Sequence, residues 1–163
     1  MEKVAIVCAS DKGSKGERED LSTPVIERLC TQAGYEVTEK HMVPDDKETI
    51  SSLLKALCDS GKIALVLTSG GTGLSPRDVT PESTLAIAER LVPGISEAMR
   101  AESMKITPRA MLSRGVSVQR NRTLVINLPG SPKAVEESLS FILPALKHGI
   151  DIAQGNDHDC ARG

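Results

Sequence analysis

Hydrophobic positions fall into short runs separated by polar loops along the chain. The run from Val4 to Ala9 is continuously apolar and rich in β-branched residues, which is typical of a strand buried on both faces of a parallel sheet. Apolar positions then recur at helical spacing from Val25 to Ala33, with Thr23 as the expected cap of that helix. The first segment therefore predicts a strand, a loop and a helix.

The same alternation continues to the end of the chain. It predicts strands over 35–43, 63–69, 115–118 and 123–127, and helices around 50–57, over 81–91, over 95–105 and from 132 to about 154, the last broken or kinked at Pro144. Strands that alternate with helices indicate a doubly wound α/β fold, a mostly parallel sheet sandwiched by helices. We expect one domain over residues 1–154 and a polar, frayed tail over 155–163.

Composition narrows the class of protein. The 163 residues contain 20 basic and 22 acidic side chains, and they include one Tyr, one Phe and no Trp. The core must therefore be aliphatic. Nucleic-acid binding is disfavoured, because a near-neutral chain with only two aromatic side chains offers neither a basic groove nor a stacking surface.

The four cysteines never approach a C-x-x-C spacing, and three of them lie inside apolar runs: Cys8, Cys30 and Cys58, but not Cys160. We expect buried thiols in a reducing cytosol. The longest apolar stretches are far shorter than a bilayer requires, and the N-terminal run is too short for a secretory signal, so neither a membrane span nor a signal peptide is predicted.

Polar or glycine-rich loops follow four of the predicted strands. In a parallel sheet the carboxyl ends of the strands meet at one edge, so these loops are expected to converge there. The loops are Ser10-Asp11, Pro44-Asp45-Asp46, the segment from Thr68 to Gly73 with Asp78 beyond it, and the segment from Asn127 to Ser131.

The glycine-rich loop is Ser69-Gly70-Gly71-Thr72-Gly73. Glycines permit backbone N–H groups to point at an anion, and the hydroxyl groups add donors, so the loop suits a phosphate. It matches neither a Walker loop nor a Rossmann fingerprint, and the absence of a lysine after it disfavours a P-loop nucleotidase. The alternative is a tight turn that needs glycine only to form its corner.

Two aspartates are candidate ligands for Mg²⁺. With Thr80 as the expected cap of the following helix, Asp78 is free to bind a metal, although a pair with Arg77 is an alternative. Asp45 and Asp46 precede a helix, and Asp45 has capping-box spacing to Glu48. One of the two acids is left over from capping and could share a magnesium with Asp78 or hold a substrate group.

Two further segments admit both a structural and a functional explanation. Pro129 and Gly130 form either a simple turn before the last helix or a wall against which a flat ligand lies. Basic residues also cluster between Arg100 and Arg122, where they form either a solvated or subunit-contacting face or a surface that receives a phosphorylated ligand.

Three segments together resemble a known family: Leu67 to Glu82, Val43-Pro-Asp-Asp46, and Val125 to Lys133. They are similar to those of the molybdopterin adenylyltransferases of molybdenum cofactor biosynthesis, the MogA/MoaB group, and the resemblance runs from about Val4 to Ala153. It implies a doubly wound α/β domain that assembles as a homotrimer or hexamer. It also implies transfer of AMP from ATP to molybdopterin with Mg²⁺, followed by delivery of the product to a downstream molybdenum insertase.

The resemblance also assigns roles to residues. It implies that Asp45 and Asp78 are the essential acids. Phosphate-contacting roles fall to the loop around Thr72, with its flanking glycines Gly71 and Gly73. It places Ser10 and Asp11 at the rim of the pocket, and Pro129 and Gly130 on the nucleotide side.

The main alternative to an enzyme comes from within the same family. The chain is at the short end of the family, nearer the MoaB-like branch. A non-catalytic molybdopterin-binding or scaffold protein would bind the pterin and leave ATP uncleaved. The intact pair of Asp45 and Asp78 favours the enzyme.

Overall fold

The computed structural model describes residues 1–156, and a single sheet organises them. Its strands are β1 (Lys3–Ala9), β2 (Glu36–Val43), β3 (Leu65–Ser69), β4 (Arg90–Leu91), β5 (Ser117–Arg120) and β6 (Thr123–Leu128). The order across the sheet is β2-β1-β3-β6-β5-β4. The first four in that order are mutually parallel, and the last two add on in antiparallel fashion.

Helices cover both faces of this sheet. They are α1 (Asp11–Ser14), α2 (Ser22–Gln32), α3 (Lys47–Asp59), α4 (Thr80–Leu85), α5 (Pro93–Met104) and α6 (Pro132–Ala153), with a 3-10 helix over Pro108–Leu112. Side chains of α2, α5 and α6 share one hydrophobic core, and those of α3 share the other. Helix α4 packs against α3. The predicted doubly wound α/β class is confirmed.

Strand β1 lies at the centre of both cores. Val4 and Ile6 face one core and Ala5 and Val7 the other, all of them fully buried. This double burial explains why residues 4–9 of the strand are all apolar, since each face of the sheet is covered by helices. The core is aliphatic as predicted; Tyr35 is its one aromatic member within the described residues.

Two predicted helices differ from the structure. The helix predicted over 81–91 ends at Leu85, and Arg90–Leu91 forms the edge strand β4 instead. Of the break or kink predicted at Pro144, the break does not occur, because helix α6 runs unbroken from Pro132 to Ala153. Pro144 and Ser140, one turn earlier, are both exposed, and water can therefore satisfy the carbonyl that loses its hydrogen bond to proline.

The start of α2 also differs from the prediction. Its N-terminal amides are capped from outside the helix, because Asp20 Oδ1 accepts hydrogen bonds from Ser22 N at 3.1 Å and from Thr23 N at 3.0 Å. The predicted cap, Thr23, lies inside the helix. Asp20 rather than Thr23 therefore satisfies the free amides at this end.

The three cysteines predicted to be buried are free, buried thiols: Cys8, Cys30 and Cys58. Burial raises the pKa of Cys8 and Cys30 to about 12 and that of Cys58 to about 11, so all three are held as thiols at neutral pH. Cys160 lies outside the described residues, as does most of the predicted tail. No helix among the described residues has the length and apolar character needed to cross a bilayer.

Candidate functional site

The four predicted loops do meet at one edge of the sheet. They follow β1, β2, β3 and β6, which are the four parallel strands. The chain leaves β1 toward β2 on one side and later places β3 on the other, so this edge contains the switch point at which doubly wound folds bind ligands. A cavity of about 530 Å³ opens there, and seven predicted residues line it: Ser10, Asp45, Ser69, Gly70, Gly71, Asp78 and Gly130.

Four other predicted residues lie next to this cavity without lining it. Asp11 pairs with the backbone of Asp45. Thr72 is buried, and Gly73 lies behind the Asp78 carboxylate. Pro129 lines a neighbouring cavity of about 240 Å³ between α5, α6 and the end of β6.

Asp46, not Asp45, caps helix α3. Its Oδ2 accepts from Thr49 N at 2.9 Å and from Thr49 Oγ1 at 2.7 Å, and these bonds lower the pKa of Asp46. The prediction that one of the two acids caps the helix and the other is left over is therefore confirmed, although Asp46 caps it and not Asp45, which has capping-box spacing to Glu48. Because the neighbouring acid caps the helix, the Asp45 carboxylate is available to the cavity.

The Asp45 carboxylate has one occupied and one unoccupied oxygen. Oδ2 accepts from Asp11 N at 3.0 Å, whereas Oδ1 is buried without a hydrogen-bond partner in residues 1–156. Burial, with smaller contributions from the charges of Asp11 and Asp78, raises the pKa of Asp45. A buried acceptor without a partner is costly and calls for a ligand, so Oδ1 fits a cation or a substrate donor.

Asp78 is held by a tight turn of its own loop. Its backbone N donates to Ser75 O at 2.9 Å, and its Oδ2 accepts from Ser75 N at 3.1 Å. The alternative pair with Arg77 does not form, because Arg77 donates two hydrogen bonds to Asp11, at 2.9 and 3.0 Å. The other carboxylate oxygen of Asp78, Oδ1, makes no hydrogen bond within the described chain.

Thr80 does not cap helix α4 as predicted. It is the first residue of the helix, and Val79 occupies the cap position without a side-chain bond. The Thr80 hydroxyl is buried and makes no hydrogen bond within residues 1–156. It lies against Gly71, as a Cβ placed on that glycine would be 2.3 Å from Thr80 Oγ1 and 3.3 Å from Asp45 Oδ1.

Glycine is required at two positions of the loop by its geometry. Gly70 and Gly71 have φ of +89° and +69°, a region that L side chains rarely adopt. A Cβ on Gly70 would lie 2.4 Å from the carbonyl oxygen of Ala9. The tight-turn explanation therefore holds, and it is compatible with the anion nest. The amides of Gly71, Thr72 and Gly73 donate no hydrogen bond within the described chain, and of the three residues Gly71 lines the cavity.

Acidic residues dominate the wall of the cavity. Four acids, Glu19, Asp20, Asp45 and Asp78, face one basic residue, Arg18. A substrate with several phosphate groups would be repelled here unless cations accompany it. Among the described residues, no group of three or more His, Cys, Asp or Glu side chains could hold a metal alone. Two carboxylates completed by substrate phosphates and water is the arrangement that Mg²⁺ commonly uses.

The basic cluster between Arg100 and Arg122 does not form one surface. Arg100 donates to the carbonyl oxygen of Gly115, Arg120 pairs with Asp59, and Arg122 donates to Gln154 O. Most of the cluster therefore serves structure. Sequence reasoning missed two contacts next to the site, Arg77 on Asp11 and the bonds of Arg114 to the glycine-rich loop. The sequence suggested Arg77 only as a partner of Asp78, and no local pattern identified Asp11 as its partner.

The chain is similar to known proteins over most of its length. The chain is 40% identical over 157 residues to the molybdopterin adenylyltransferase of Escherichia coli K12, which covers 94% of this chain and 76% of that protein. It is 39% identical over 155 residues to that of Helicobacter pylori J99, which covers 94% and 88%. The crystal structure of the molybdopterin biosynthesis enzyme MoaB from Thermus thermophilus superimposes with a TM-score of 0.90 at 44% identity, covering 95% and 98%.

The sequence profile of the molybdenum cofactor biosynthesis family, whose shared unit is described as a probable molybdopterin binding domain, matches residues 5–148. That range includes all the loops at the carboxyl edge of the sheet. The chain therefore belongs to this family of molybdenum cofactor biosynthesis proteins.

Proposed function

We propose that the protein is a molybdopterin adenylyltransferase that transfers AMP from ATP to molybdopterin in the presence of Mg²⁺. The observation that carries this proposal is that Asp45 and Asp78, from loops 33 positions apart in sequence, line one cavity together with the glycine-rich loop. The relatives that carry this activity in their names match over nearly the whole chain.

The reaction forms one phosphoanhydride bond and breaks another. An oxygen of the terminal phosphate of molybdopterin attacks the α-phosphorus of ATP, the bond from that phosphorus to the bridging oxygen breaks, and pyrophosphate leaves with the bonding electron pair. A phosphate nucleophile is already ionised at neutral pH, so the site needs no histidine as general base. It needs positioning and charge neutralisation instead.

The residues of the cavity divide these tasks. Asp45, through its unpartnered Oδ1, and Asp78 would hold Mg²⁺, which neutralises the charge that two polyanions bring together. The free amides of Gly71 to Gly73 receive phosphate oxygens. Ser10 and Ser69 line the same cavity and add hydroxyl groups to its wall.

A test compares pyrophosphate release from ATP, molybdopterin and Mg²⁺ in two matched variants. Asp78→Asn should lower the rate of AMP transfer by about 10³-fold, because it removes a charge that holds the metal. Asp46→Asn is the control: asparagine caps a helix as well as aspartate does, so its rate should stay near that of the wild type.

The outcomes separate the enzyme from the scaffold alternative. If the assembled wild-type protein binds molybdopterin but releases no pyrophosphate, it is a non-catalytic pterin-binding protein. If Asp78→Asn turns over like the wild type, the metal is held elsewhere.

The same proposal extends to the oligomeric state, the cellular compartment and the downstream partner. We expect a homotrimer or hexamer in the cytoplasm that passes adenylylated molybdopterin to a molybdenum insertase. The three buried thiols are compatible with a reducing compartment. Light scattering coupled to size-exclusion chromatography measures the mass of the assembly. A monomer at micromolar concentration would contradict the expected oligomeric state.

A further inference from the structure

The side chain of Arg114 connects both ends of the loop that carries Asp78. Its Nε donates to Gly73 O at 2.7 Å, and a terminal nitrogen donates to Asp78 O at 2.8 Å. Its backbone N donates to Thr72 O at 2.9 Å. Three hydrogen bonds from a single residue therefore fix residues 72–78 from outside the loop.

The loop itself constrains the Asp78 carboxylate once its ends are fixed. Ser75 donates its backbone N–H to Asp78 Oδ2, and a Cβ on Gly73 would lie 2.9 Å from the same oxygen. The carboxylate is thus packed between Ser75 and the Gly73 backbone. Its position depends on the path of the loop, and that path depends on Arg114.

Arg114 is itself held from two sides. Its remaining terminal nitrogen bonds to the Glu82 carboxylate on α4, which lowers the pKa of Glu82. Two positions later, Val116 and Asn127 of β6 exchange hydrogen bonds at 3.0 and 3.1 Å. The guanidinium is therefore anchored to a helix, and the main chain that carries Arg114 is anchored to the central sheet.

The contacts of Arg114 are all with the protein. It lines neither the cavity of Asp45 and Asp78 nor the neighbouring cavity beside Pro129. Its side chain is 33% exposed, and all three of its nitrogens donate to acceptors of residues 73–82. It is therefore not placed to bind substrate directly, and any effect on the reaction must pass through the loop.

We propose that Arg114 is a positioning residue for AMP transfer, which fixes the loop from Gly73 to Asp78 so that the Asp78 carboxylate stays in the cavity with Asp45. The effect on rate rests on the proposed function, whereas the effect on the loop does not. A displacement of about 1 Å in a reacting or metal-binding group costs about 10²-fold in rate.

The first measurement separates positioning from binding. In Arg114→Ala we expect kcat to fall about 10²-fold while the KM for molybdopterin changes by less than about threefold. The kcat of Arg114→Lys should lie between those of Arg114→Ala and the wild type. Added guanidinium ion should partly restore the kcat of Arg114→Ala. The matched control is Arg122→Gln, an exposed arginine that donates to Gln154 O at the opposite end of β6. A kcat for Arg114→Ala near that of the wild type overturns the proposal.

The second measurement needs no substrate. Trypsin cleaves after Arg77, which lies inside the loop, and mass spectrometry of the fragments follows that single bond. We expect cleavage there to be about tenfold faster in Arg114→Ala than in the wild type or Arg122→Gln, because local opening controls access of the protease. Equal cleavage rates overturn the proposal. If the wild type transfers no AMP, the proposed function fails, and the cleavage rates alone decide whether Arg114 holds the loop.

Discussion

Asp11 and Asp45 each bind the other's backbone. Asp11 N donates to Asp45 Oδ2 at 3.0 Å, and Asp45 N donates to Asp11 Oδ1 at 2.9 Å. The pair joins the loop after β1 to the loop after β2. Arg77 completes the group from the loop after β3 by pairing with Asp11, so three loops of the sheet edge are connected through two carboxylates.

The charges around Asp45 predict opposite pH shifts in two variants. The Asp11 charge raises the pKa of Asp45 and the Arg77 charge lowers it. If Asp45 must be ionised to hold the metal, the acid limb of kcat/KM should move to lower pH in Asp11→Asn and to higher pH in Arg77→Gln. A profile over about pH 4 to 8 measures both. Shifts in the same direction would show that a different group controls the limb.

Asp45→Asn should separate stability from activity. The pKa of Asp45 is higher in the folded state than in the unfolded state. The ionised carboxylate therefore lowers the free energy of unfolding at pH values above the folded-state pKa. This cost disappears below the ordinary pKa of aspartate, where the carboxyl group is protonated in both the folded and the unfolded state. Asparagine keeps an oxygen for Asp11 N. At pH 7 we expect a urea midpoint equal to or above that of the wild type, with AMP transfer lost. A lower midpoint would contradict this account.

Gly70→Ala should destabilise the protein by about 1–3 kcal/mol, because alanine is strained at this φ and its methyl group would meet the Ala9 carbonyl. Urea unfolding followed by circular dichroism measures the loss. The control is Gly94→Ala in α5, where a Cβ meets no atom within 4 Å and φ is ordinary. Equal stabilities of the two variants would show that the loop relaxes around the added methyl group.

Asn127 should be among the more sensitive buried positions. Its Nδ2 donates to Thr68 Oγ1 and Thr84 Oγ1, both at 3.0 Å, and its Oδ1 accepts from Val116 N at 3.1 Å. Asn127→Leu removes all three bonds and leaves Val116 N and Thr68 Oγ1 without these partners, while Thr84 Oγ1 keeps its bond to Thr80 O. The free energy of unfolding should therefore fall by about 3 kcal/mol. Because Val116 lies next to the Arg114 segment, AMP transfer should fall too. A loss below about 1 kcal/mol would indicate that water replaces the amide.

The sequence predicted the sheet edge well because strand periodicity and loop composition are local properties. It left the choice open, or chose wrongly, where several local choices were equivalent. Asp45 and Asp46 both precede α3, and only the path of the chain selects Asp46 as the cap. Likewise, the sequence favoured Thr23 over Asp20 as the cap of α2, because nothing in the local spacing indicated that Asp20 would reach the first amides of the helix.

Long-range pairing accounts for the remaining differences. Strand β4 has only two residues, and it exists because β5 lies beside it. Its own sequence continued a helical pattern, so no local signal marked the change. Arg77 and Asp11 are 66 positions apart, and their pairing follows from the strand order rather than from either loop.

Strand β1 separates β2 from β3, so the loops of Asp45 and Asp78 leave strands that share no hydrogen bond with each other. Two strand spacings set the gap between those strands at about 10 Å. This separation is fixed by the main-chain hydrogen bonds between neighbouring strands. It does not depend on which aliphatic side chains pack on the two faces of the sheet. The interior can therefore diverge among relatives while the mouth of the cavity keeps its width.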